Sequence, residues 1–259
     1  MSLETFSVFY YGQEVTSFSF AFDFNEGAGE LQATIPIGSY TLSEIATELQ
    51  TQLNSVGTLT YQVTVNRVTR VITISADGNF SILRGTGTRA GQGVYPVIGF
   101  SGSTDLSGSS SYVADGPSGS EYRPQFILQD HVSTDNQREF IDPSINEAAS
   151  GEQEIIRFGT RRFLDCNIKF STNIFQPSGA PILNQANGVA NLRAFMEYAT
   201  EKLKIEYMPD VNTRGTFEKL ILESTPESRD GTNFKLKEMY SMNLAGYFET
   251  GVLRFRKVL

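Results

Sequence analysis

The only histidine in the sequence, His131, is the first residue whose type and setting could support chemistry. It follows Asp130, and an Asp-His pair beside a serine is the constellation of a hydrolytic triad. The sequence contains no Gly-x-Ser-x-Gly segment that would hold such a serine on a sharp turn. A single histidine also leaves histidine-rich metal sites without ligands. We interpret His131 as a surface residue and predict no catalytic triad.

Cys166 is the only cysteine, so the chain cannot form an intramolecular disulfide or supply a thiol-rich zinc site. Its neighbours alternate between apolar and polar types, as in a β-strand. No nearby cation or helix N-terminus is evident that would lower the pKa of the thiol. We interpret Cys166 as a small buried apolar residue, which fits assembly in a reducing cytoplasm.

A glycine-rich segment from Gly85 to Gly93 has the composition of a phosphate-binding loop. Such a loop normally opens a helix and is supported by a Lys-Ser/Thr pair or a later acidic residue. Here the following segment contains Pro96 and reads Val-Tyr-Pro-Val-Ile-Gly-Phe instead. We therefore predict no nucleotide and no other cofactor.

Paired carboxylates cleave glycosidic bonds in many hydrolases, and the sequence has 29 acidic residues that could supply such a pair. Glu197 and Glu201 lie four residues apart on the polar face of a predicted helix, a spacing typical of a solvated stripe. No Asp-x-Asp-x-Asp-Gly calcium loop is present. We assign no catalytic, cofactor-binding or metal-binding residues and expect a protein that is not an enzyme.

Arginines form the remaining cluster of interest. Alternation along a predicted C-terminal strand places Arg254 and Arg256 on one face, and Arg161 and Arg162 flank another predicted strand. Two interpretations stay open: a solvent-facing row, or a rim that meets acidic groups on an adjacent copy of the chain. We take Arg161, Arg162, Arg254 and Arg256 as candidate subunit-interface residues.

Composition limits the classes of function that fit. The chain has 259 residues with 12% aromatic residues and 23 glycines, a mixture that favours strands joined by tight turns. A net charge of −8 argues against general binding to nucleic acid. We expect no signal peptide and no membrane insertion, because the chain has no basic leader and no apolar run of about 20 residues.

The strongest local signal is a helix followed by a hairpin. Thr41 and Glu44 have the spacing of a capping box, and Asn54 and Gly57 are predicted to end the helix. The predicted apolar stripe consists of Leu42, Ile45, Ala46, Leu49 and Leu53. Two β-branched runs, 61–65 and 71–74, then predict a hairpin around a polar break.

The other elements also predict a mainly β protein. Phe18, Phe20, Phe22 and Phe24 alternate with small or polar residues and predict one buried strand face. A second amphipathic helix is predicted near residues 189–203, with Asn187 or Asn191 as its cap. Further strands are predicted at 79–83, 122–129, 155–158, 163–170, 205–208, 217–223, 234–239 and 252–258. We predict antiparallel, sandwich-like sheets with two helices packed on them.

The sequence predicts three regions. Residues 1–100 form a β domain with the helix–hairpin module, and residues 154–259 form a second β-rich part with one helix. Residues 101–153 read as a Ser/Gly-rich arm or linker, and 101–119 are the poorest in apolar residues. We expect 101–119 to be mobile in a monomer and ordered by a neighbouring subunit.

The helix–hairpin module resembles one in virion structural proteins of tailed bacteriophages, I-P-x-G-x-Y-T-L-x-x-[IL]-A-x-x-[IL] followed by a hairpin. The resemblance covers residues 34 to 100, and the ending from Tyr247 to Arg256 is similar to such proteins more weakly. It implies a virion structural subunit, most simply a tail or baseplate ring component that contacts copies of itself and other virion proteins. Two alternatives remain: a head decoration or minor capsid protein, and a receptor- or glycan-binding module.

Overall fold

A computed structural model describes residues 8–122, 135–140, 144–147, 153–156, 160–168, 171–172, 189–209, 217–224, 237–238 and 247–258. The chain divides into two units. The first unit comprises residues 1–122 and 204–217, and the second unit comprises residues 123–203 and 218–259.

Residues 8–122 contain nine strands, one helix and a single 3-10 turn at Ala90–Gln92. These elements are β1 (Val8–Tyr11), β2 (Gln13–Val15), β3 (Ala21–Asn25), β4 (Glu30–Thr34), β5 (Gly38–Tyr40), α1 (Leu42–Val56), β6 (Tyr61–Asn66), β7 (Val71–Ile82), β8 (Leu106–Val113) and β9 (Ser120–Tyr122).

The rest of the described chain contains ten strands and one helix. These are β10 (Asp135–Phe140), β11 (Ser144–Glu147), β12 (Gln153–Ile156), β13 (Thr160–Asn167), β14 (Ser171–Thr172), α2 (Val189–Thr200), β15 (Ile205–Met208), β16 (Glu218–Ser224), β17 (Lys237–Glu238), β18 (Tyr247–Glu249) and β19 (Val252–Val258). The described part of the protein is mainly β, with antiparallel sheets and two α-helices, which confirms the predicted fold class.

In the first unit, the long strand β7 organises the largest sheet. It pairs with β6 along its first half, with β3 near its end, and with β8 on its other side. Strand β4 completes the sheet beside β3. A second set of strands places β1 between β9 and β15, and β2 pairs with β5. The predicted short strand at 79–83 is therefore the continuation of β7.

Helix α1 confirms the predicted amphipathic helix. All five residues of the predicted stripe are buried, and the helix contacts β4, β5 and β6. Gly57 is the C-cap, and its amide donates to the carbonyl of Leu53 at 2.8 Å. Asn54 was expected to help end the helix, but it lies inside the last turn and bonds to β6 instead.

The phenylalanine stripe extends over fewer positions than the alternation predicts. Phe22 and Phe24 are fully buried and Phe20 is partly buried, but Phe18 is 78% exposed. The inclusion of Phe18 in the buried face is wrong, because β3 begins only at Ala21 and residues 16–19 form a turn. On the other face of β3, Asp23 is also buried.

The Ser/Gly-rich stretch contributes a strand to the first unit. Leu106–Val113 forms β8 and pairs with β7, with Tyr112 opposite Ile74. Tyr112 is buried, and its ring packs edge-on against Phe80 at a centroid distance of 4.9 Å. The expected boundary at residue 100 therefore differs from the division of the structure, which keeps residues 101–122 with the first unit.

In the second unit, β13 and β19 lie at the centre of a four-stranded arrangement, β10-β13-β19-β16. Helix α2 buries Leu192, Phe195, Met196 and Ala199, and the Phe195 ring lies 6.4 Å from that of Phe255 on β19. Of the predicted helix caps, Asn191 lies within the helix, and Asn187 is outside the described residues.

Candidate functional site

The segment that enters α1 is fixed by hydrogen bonds from the residues of the sequence motif. The hydroxyl of Tyr40 donates to the carbonyl of Pro36 at 2.6 Å and closes the loop. The amide of Glu44 donates to the Thr41 hydroxyl at 3.2 Å, and the Thr41 amide donates to the Glu44 carboxylate at 2.9 Å. This reciprocal pair is the predicted capping box. The motif residues thus define the start and the entry angle of the helix.

Polar side chains of α1 cap the exposed edge of the hairpin. The amide of Val63 donates to the side-chain oxygen of Gln50 at 2.9 Å. Asn54 makes two bonds to Tyr61, accepting from its amide at 2.7 Å and donating to its carbonyl at 3.0 Å. Unpaired strand edges promote pairing with other chains. The helix therefore satisfies backbone groups of β6 that would otherwise be open to another strand.

A buried carboxylate, Glu206 on β15, binds the N-terminus of α1. Its side chain is fully buried, and it accepts from the amide and the hydroxyl of Ser43 at 3.1 and 2.9 Å. The Nε of Arg67 lies 3.1 Å from the other carboxylate oxygen. A carboxylate at this position is favoured by the positive end of the helix dipole.

Arg67 is itself held on several sides. Its Nη2 donates to the Ser43 hydroxyl at 2.6 Å, and its guanidinium lies 3.6 Å from the centre of the Phe217 ring. The hydroxyl of Tyr10 donates to its carbonyl at 2.6 Å. The ion pair therefore joins α1, the hairpin end and β15 into one packed joint. The hydrogen bonds between Ser43 and Glu206 in this joint link residues that are 163 positions apart in the sequence. A contact over that distance leaves no local sequence pattern, so the sequence alone did not predict the joint.

The backbone amides of the glycine-rich loop donate hydrogen bonds to carboxylates of the protein itself. Asp105 accepts from the amides of Gly85 and Thr86 at 2.7 and 3.1 Å and from the Thr86 hydroxyl. Glu30 accepts from the amide and hydroxyl of Thr88 at 2.7 and 2.8 Å. The loop thus has the amide donors of an anion site, but the protein supplies the anions.

A third carboxylate, Asp23, lies buried under the same loop. It accepts from the Arg89 amide at 2.6 Å through one oxygen, while its other oxygen is buried with no partner among the described residues. A side chain at Gly87 would place its Cβ 2.6 Å from Asp23, so only glycine allows this approach. Burial raises the pKa of Asp23, and the charge of Glu30 adds to the rise against two lowering effects of Arg89. The loop and the strand are therefore locked together at this point.

The candidate interface arginines differ in their surroundings. Arg254 makes a two-pronged ion pair with Asp165, at 2.9 Å for both bonds, and lies 5.2 Å from the Phe163 ring. Arg256 lies 3.5 Å from Glu223 in a half-exposed pair. Arg162 is exposed. The side chain of Arg161 lies outside the described residues, although its backbone pairs with Glu139. The structure thus brings Arg254 and Arg256 to acids of their own chain.

The candidates for chemistry find no shared site in the described part of the chain. Cys166 is fully buried, and this burial, with the nearby Asp165 charge, raises the pKa of the thiol. Glu197 and Glu201 are both exposed, but α2 ends at Thr200, so Glu201 lies in the turn after the helix and not on its predicted polar face. Asp130 and His131 lie outside the described residues.

Within the ranges described above, no group of three or more His, Cys, Asp or Glu side chains could hold a metal ion. Neither described helix is long and apolar enough to span a membrane. A groove of about 410 Å³ beside the hairpin end is lined by Thr64, Val65, Asn66, Arg67, Val68 and Thr73. Its charged group, Arg67, is already paired with Glu206.

No protein-family model matches the chain, and a search of curated proteins gives no match.

Proposed function

We propose that this chain is a non-enzymatic structural subunit of a tailed-bacteriophage virion, a ring-forming component of the tail or baseplate. The observation that carries the proposal is the helix–hairpin module, whose motif residues each have a defined structural task. Ile35 is buried in the core, the Tyr40 hydroxyl closes the loop at Pro36, and Thr41 caps the helix. The resemblance to virion proteins therefore rests on residues that build one local structure.

The arrangement of polar groups also supports a structural role. Buried or partly buried acids such as Asp23, Glu206 and Asp165 are engaged by amides, a hydroxyl or arginines of the same chain. Enzymes usually keep their reactive polar groups in a cleft that a substrate can enter. Here these groups hold loops, a helix end and strands in place, which suits a rigid building block.

The distribution of charge fits a component of a nucleic-acid-containing particle. The first unit carries 13 of the 29 acidic residues but only 6 of the 21 basic ones. A negatively charged surface repels the DNA backbone and keeps the polyanion from adhering to a passage. In this proposal the partners are copies of the chain and other virion proteins, and the location is the virion, assembled in the host cytoplasm.

Imaging of virions with the chain carrying an added density label tests the proposal. We expect several copies arranged around the tail axis or in the baseplate. Native mass measurement of the detached substructure should then give an integral multiple of the subunit mass. Label on the head shell would favour the decoration or minor capsid alternative. Single copies at the tip that bind host glycans as monomers would favour the receptor-binding alternative, and absence from purified virions would overturn the proposal.

A further inference from the structure

Two large apolar side chains of the first unit project into solvent. Phe18 is 78% exposed and Ile37 is 68% exposed, the highest values among the large apolar residues that the structure describes. Exposed apolar residues are common when scattered singly. We call these two residues, Phe18 and Ile37, the apolar knob. They are not scattered singly, because they lie on adjacent segments of the chain.

The backbone hydrogen bonds place the two knob residues on adjacent segments. Val15 pairs with Gly38 where β2 meets β5. A few residues away, the amide of Ile35 donates to the carbonyl of Phe20 at 2.9 Å. The segments 16–19 and 36–37 run between these two links. The side chains of the knob therefore belong to neighbouring loops at one end of the strand pair.

The turn that carries Phe18 is closed by short-range hydrogen bonds. The Thr16 amide donates to the Ser19 hydroxyl at 3.0 Å, and the Ser19 amide donates to the Thr16 carbonyl at 3.1 Å. The amide of Phe18 donates to the Thr16 hydroxyl at 3.2 Å. On the other segment, the Tyr40 bond to Pro36 closes the loop around Ile37. A side chain presented on a pre-organised loop loses less conformational entropy on binding.

Rigid aromatic and aliphatic anchors of this kind dominate the energy of protein interfaces. Two serines and one threonine flank Phe18 in the turn, and they provide the polar rim that usually encloses such an anchor. The knob does not serve the core of its own chain, because a side chain that is 78% exposed contributes little to burial.

Charge decides which partner surface suits the knob. The first unit has 13 acidic and 6 basic residues, whereas the second has 16 acidic and 15 basic residues. A symmetric contact between two knobs would bring two strongly acidic units together and would be opposed by repulsion. In a head-to-tail contact, the acidic first unit of one copy meets the nearly neutral second unit of the next copy. Head-to-tail contacts close into rings when the rotation between subunits allows it.

We propose that the apolar knob docks onto the second unit of a neighbouring copy of this chain in a head-to-tail contact. The inference rests on the proposed function, since it assumes that the chain assembles with copies of itself.

Photocrosslinking tests which surface the knob meets. Phe18 is replaced by the photoreactive analogue p-benzoylphenylalanine in full-length chains, which are mixed with isotopically heavy wild-type chains and irradiated. We expect light-to-heavy crosslinks to peptides of residues 123–203 or 218–259. Crosslinks between two first units, crosslinks only within one chain, or no crosslinks in an assembled sample would overturn the proposal.

Substitutions give an independent measurement. Phe18→Ser combined with Ile37→Ser should raise the dissociation constant for self-association by about tenfold or more. The matched control is Val113→Ser, an equally simple change at a residue that is 60% exposed in the same unit. The control should self-associate like the wild-type chain. If the double variant self-associated as tightly as the wild-type chain, the proposed role of the knob would be wrong. It would also be wrong if Val113→Ser weakened self-association as much as the double substitution does.

Native mass of the wild-type chain separates this inference from the proposed function. An oligomer that forms as tightly without the knob as with it contradicts the inference and leaves the ring proposal in place. A wild-type chain that is monomeric both alone and in particles contradicts both. Thermal unfolding of the double variant should match that of the wild-type monomer, because the substituted side chains lie outside the core.

Discussion

At the scale of single residues, acidic side chains serve as hydrogen-bond acceptors for loop amides. Glu26 accepts from the amides of Thr58 and Leu59 and from the hydroxyl of Tyr61. Asp105, Glu30 and Asp23 do the same for the glycine-rich loop. Part of the acidity of the first unit is therefore structural. These groups fold the loops that a charge count alone would treat as surface.

Glu206→Ala should lower the free energy of unfolding of the first unit by about 3 to 5 kcal/mol, because it leaves the Ser43 amide and Arg67 without their buried partner. Lys204→Ala is the control, since its ion pair with Glu44 is partly exposed at 3.4 Å and should contribute about 1 kcal/mol or less. Chemical denaturation followed by fluorescence measures both. Similar losses for the two variants would contradict the importance of burial at Glu206.

The raised pKa of Asp23 predicts a pH dependence of stability. In the folded protein Asp23 binds a proton more tightly than in the unfolded chain, where aspartates have a pKa of about 4. Asp23 therefore makes stability fall as pH rises above about 4 toward its raised folded-state value. Asp23→Asn should remove this fall. Denaturant titrations between pH 4 and 7 would reveal it as a flatter stability profile.

Asp105 gives a control of opposite sign. Burial pushes its pKa up, but bonds from the Thr86 hydroxyl and the Gly85 and Thr86 amides outweigh burial and lower the pKa. The stabilisation that Asp105 provides is therefore fully present above the pKa that it has in the unfolded chain. It is lost as the pH falls through the lower pKa that it has in the folded protein. Asp105→Asn should reduce stability at neutral pH and weaken the acid-side loss. If both substitutions shifted the pH dependence of the stability in the same direction, these pKa assignments would be contradicted.

At the scale of elements, α1 combines three tasks that reinforce one another. Its apolar stripe packs on the sheet, its first turn binds Glu206, and its polar residues cap the β6 edge. Tertiary packing of an amphipathic face supplies most of the stability of a helix in a protein. The helix therefore depends on the sheet as much as the sheet edge depends on the helix.

Leu49→Ala should reduce the free energy of unfolding by about 2 to 5 kcal/mol, because Leu49 is fully buried on the stripe and its truncation leaves a cavity. Thr51→Ala, on the exposed face of the same helix, should change stability by about 0.5 kcal/mol or less. Equilibrium denaturation of both variants measures the difference. A loss below half a kilocalorie per mole for Leu49→Ala would show that the helix is not part of the core.

At the scale of the whole molecule, the Ser/Gly-rich stretch belongs to a sheet of its own chain. The pairing of β8 with β7 gives the strand intramolecular partners, so its order does not require a neighbouring subunit. The serines of β8 also bond to their own strand, since the Ser109 hydroxyl accepts from the Ser111 amide at 3.1 Å and donates to its carbonyl at 2.9 Å. The stretch is therefore built into the unit.

Limited proteolysis of the isolated monomer should leave bonds within Leu106–Val113 intact at protease concentrations that cut exposed loops, because paired strands resist local opening. Tyr112→Ser should make the same bonds cleavable, since it removes the buried ring that packs on Phe80. Peptide mapping by mass spectrometry identifies the cuts. Early cleavage within the strand of the wild-type monomer would instead support the sequence-based expectation of a mobile arm.

Charge reversal should distinguish a candidate arginine that acts in assembly from one that stabilises its own subunit. Arg162→Glu alters an exposed side chain, so it should leave the melting temperature unchanged and weaken assembly in a salt-sensitive way. Arg254→Glu should lower the melting temperature of the isolated subunit, because it places a carboxylate against Asp165. Differential scanning calorimetry and sedimentation measure the two effects. Normal assembly of the Arg162→Glu variant would remove this residue from the candidate interface.

Local patterns predicted α1, its capping box, the hairpin and several strands of the described chain, because caps and periodicity depend on residues a few positions apart. The boundary of β3 was harder, since the alternation of phenylalanines continues past the residue where pairing stops. Tertiary contacts alone decided that Phe18 would be exposed and that Leu106–Val113 would form a strand. Composition carries no information about which strand completes a sheet.

The polar contacts of the candidate site were decided only by the tertiary structure. Asp23 binds the amide of a residue 66 positions away, and Glu206 binds Ser43 in the first turn of α1, 163 positions earlier. The sequence determined which residues could accept a hydrogen bond or carry a charge. The fold determined which donors they meet, because burial forces each polar group to find a partner among the groups that the packed chain brings within about 3 Å.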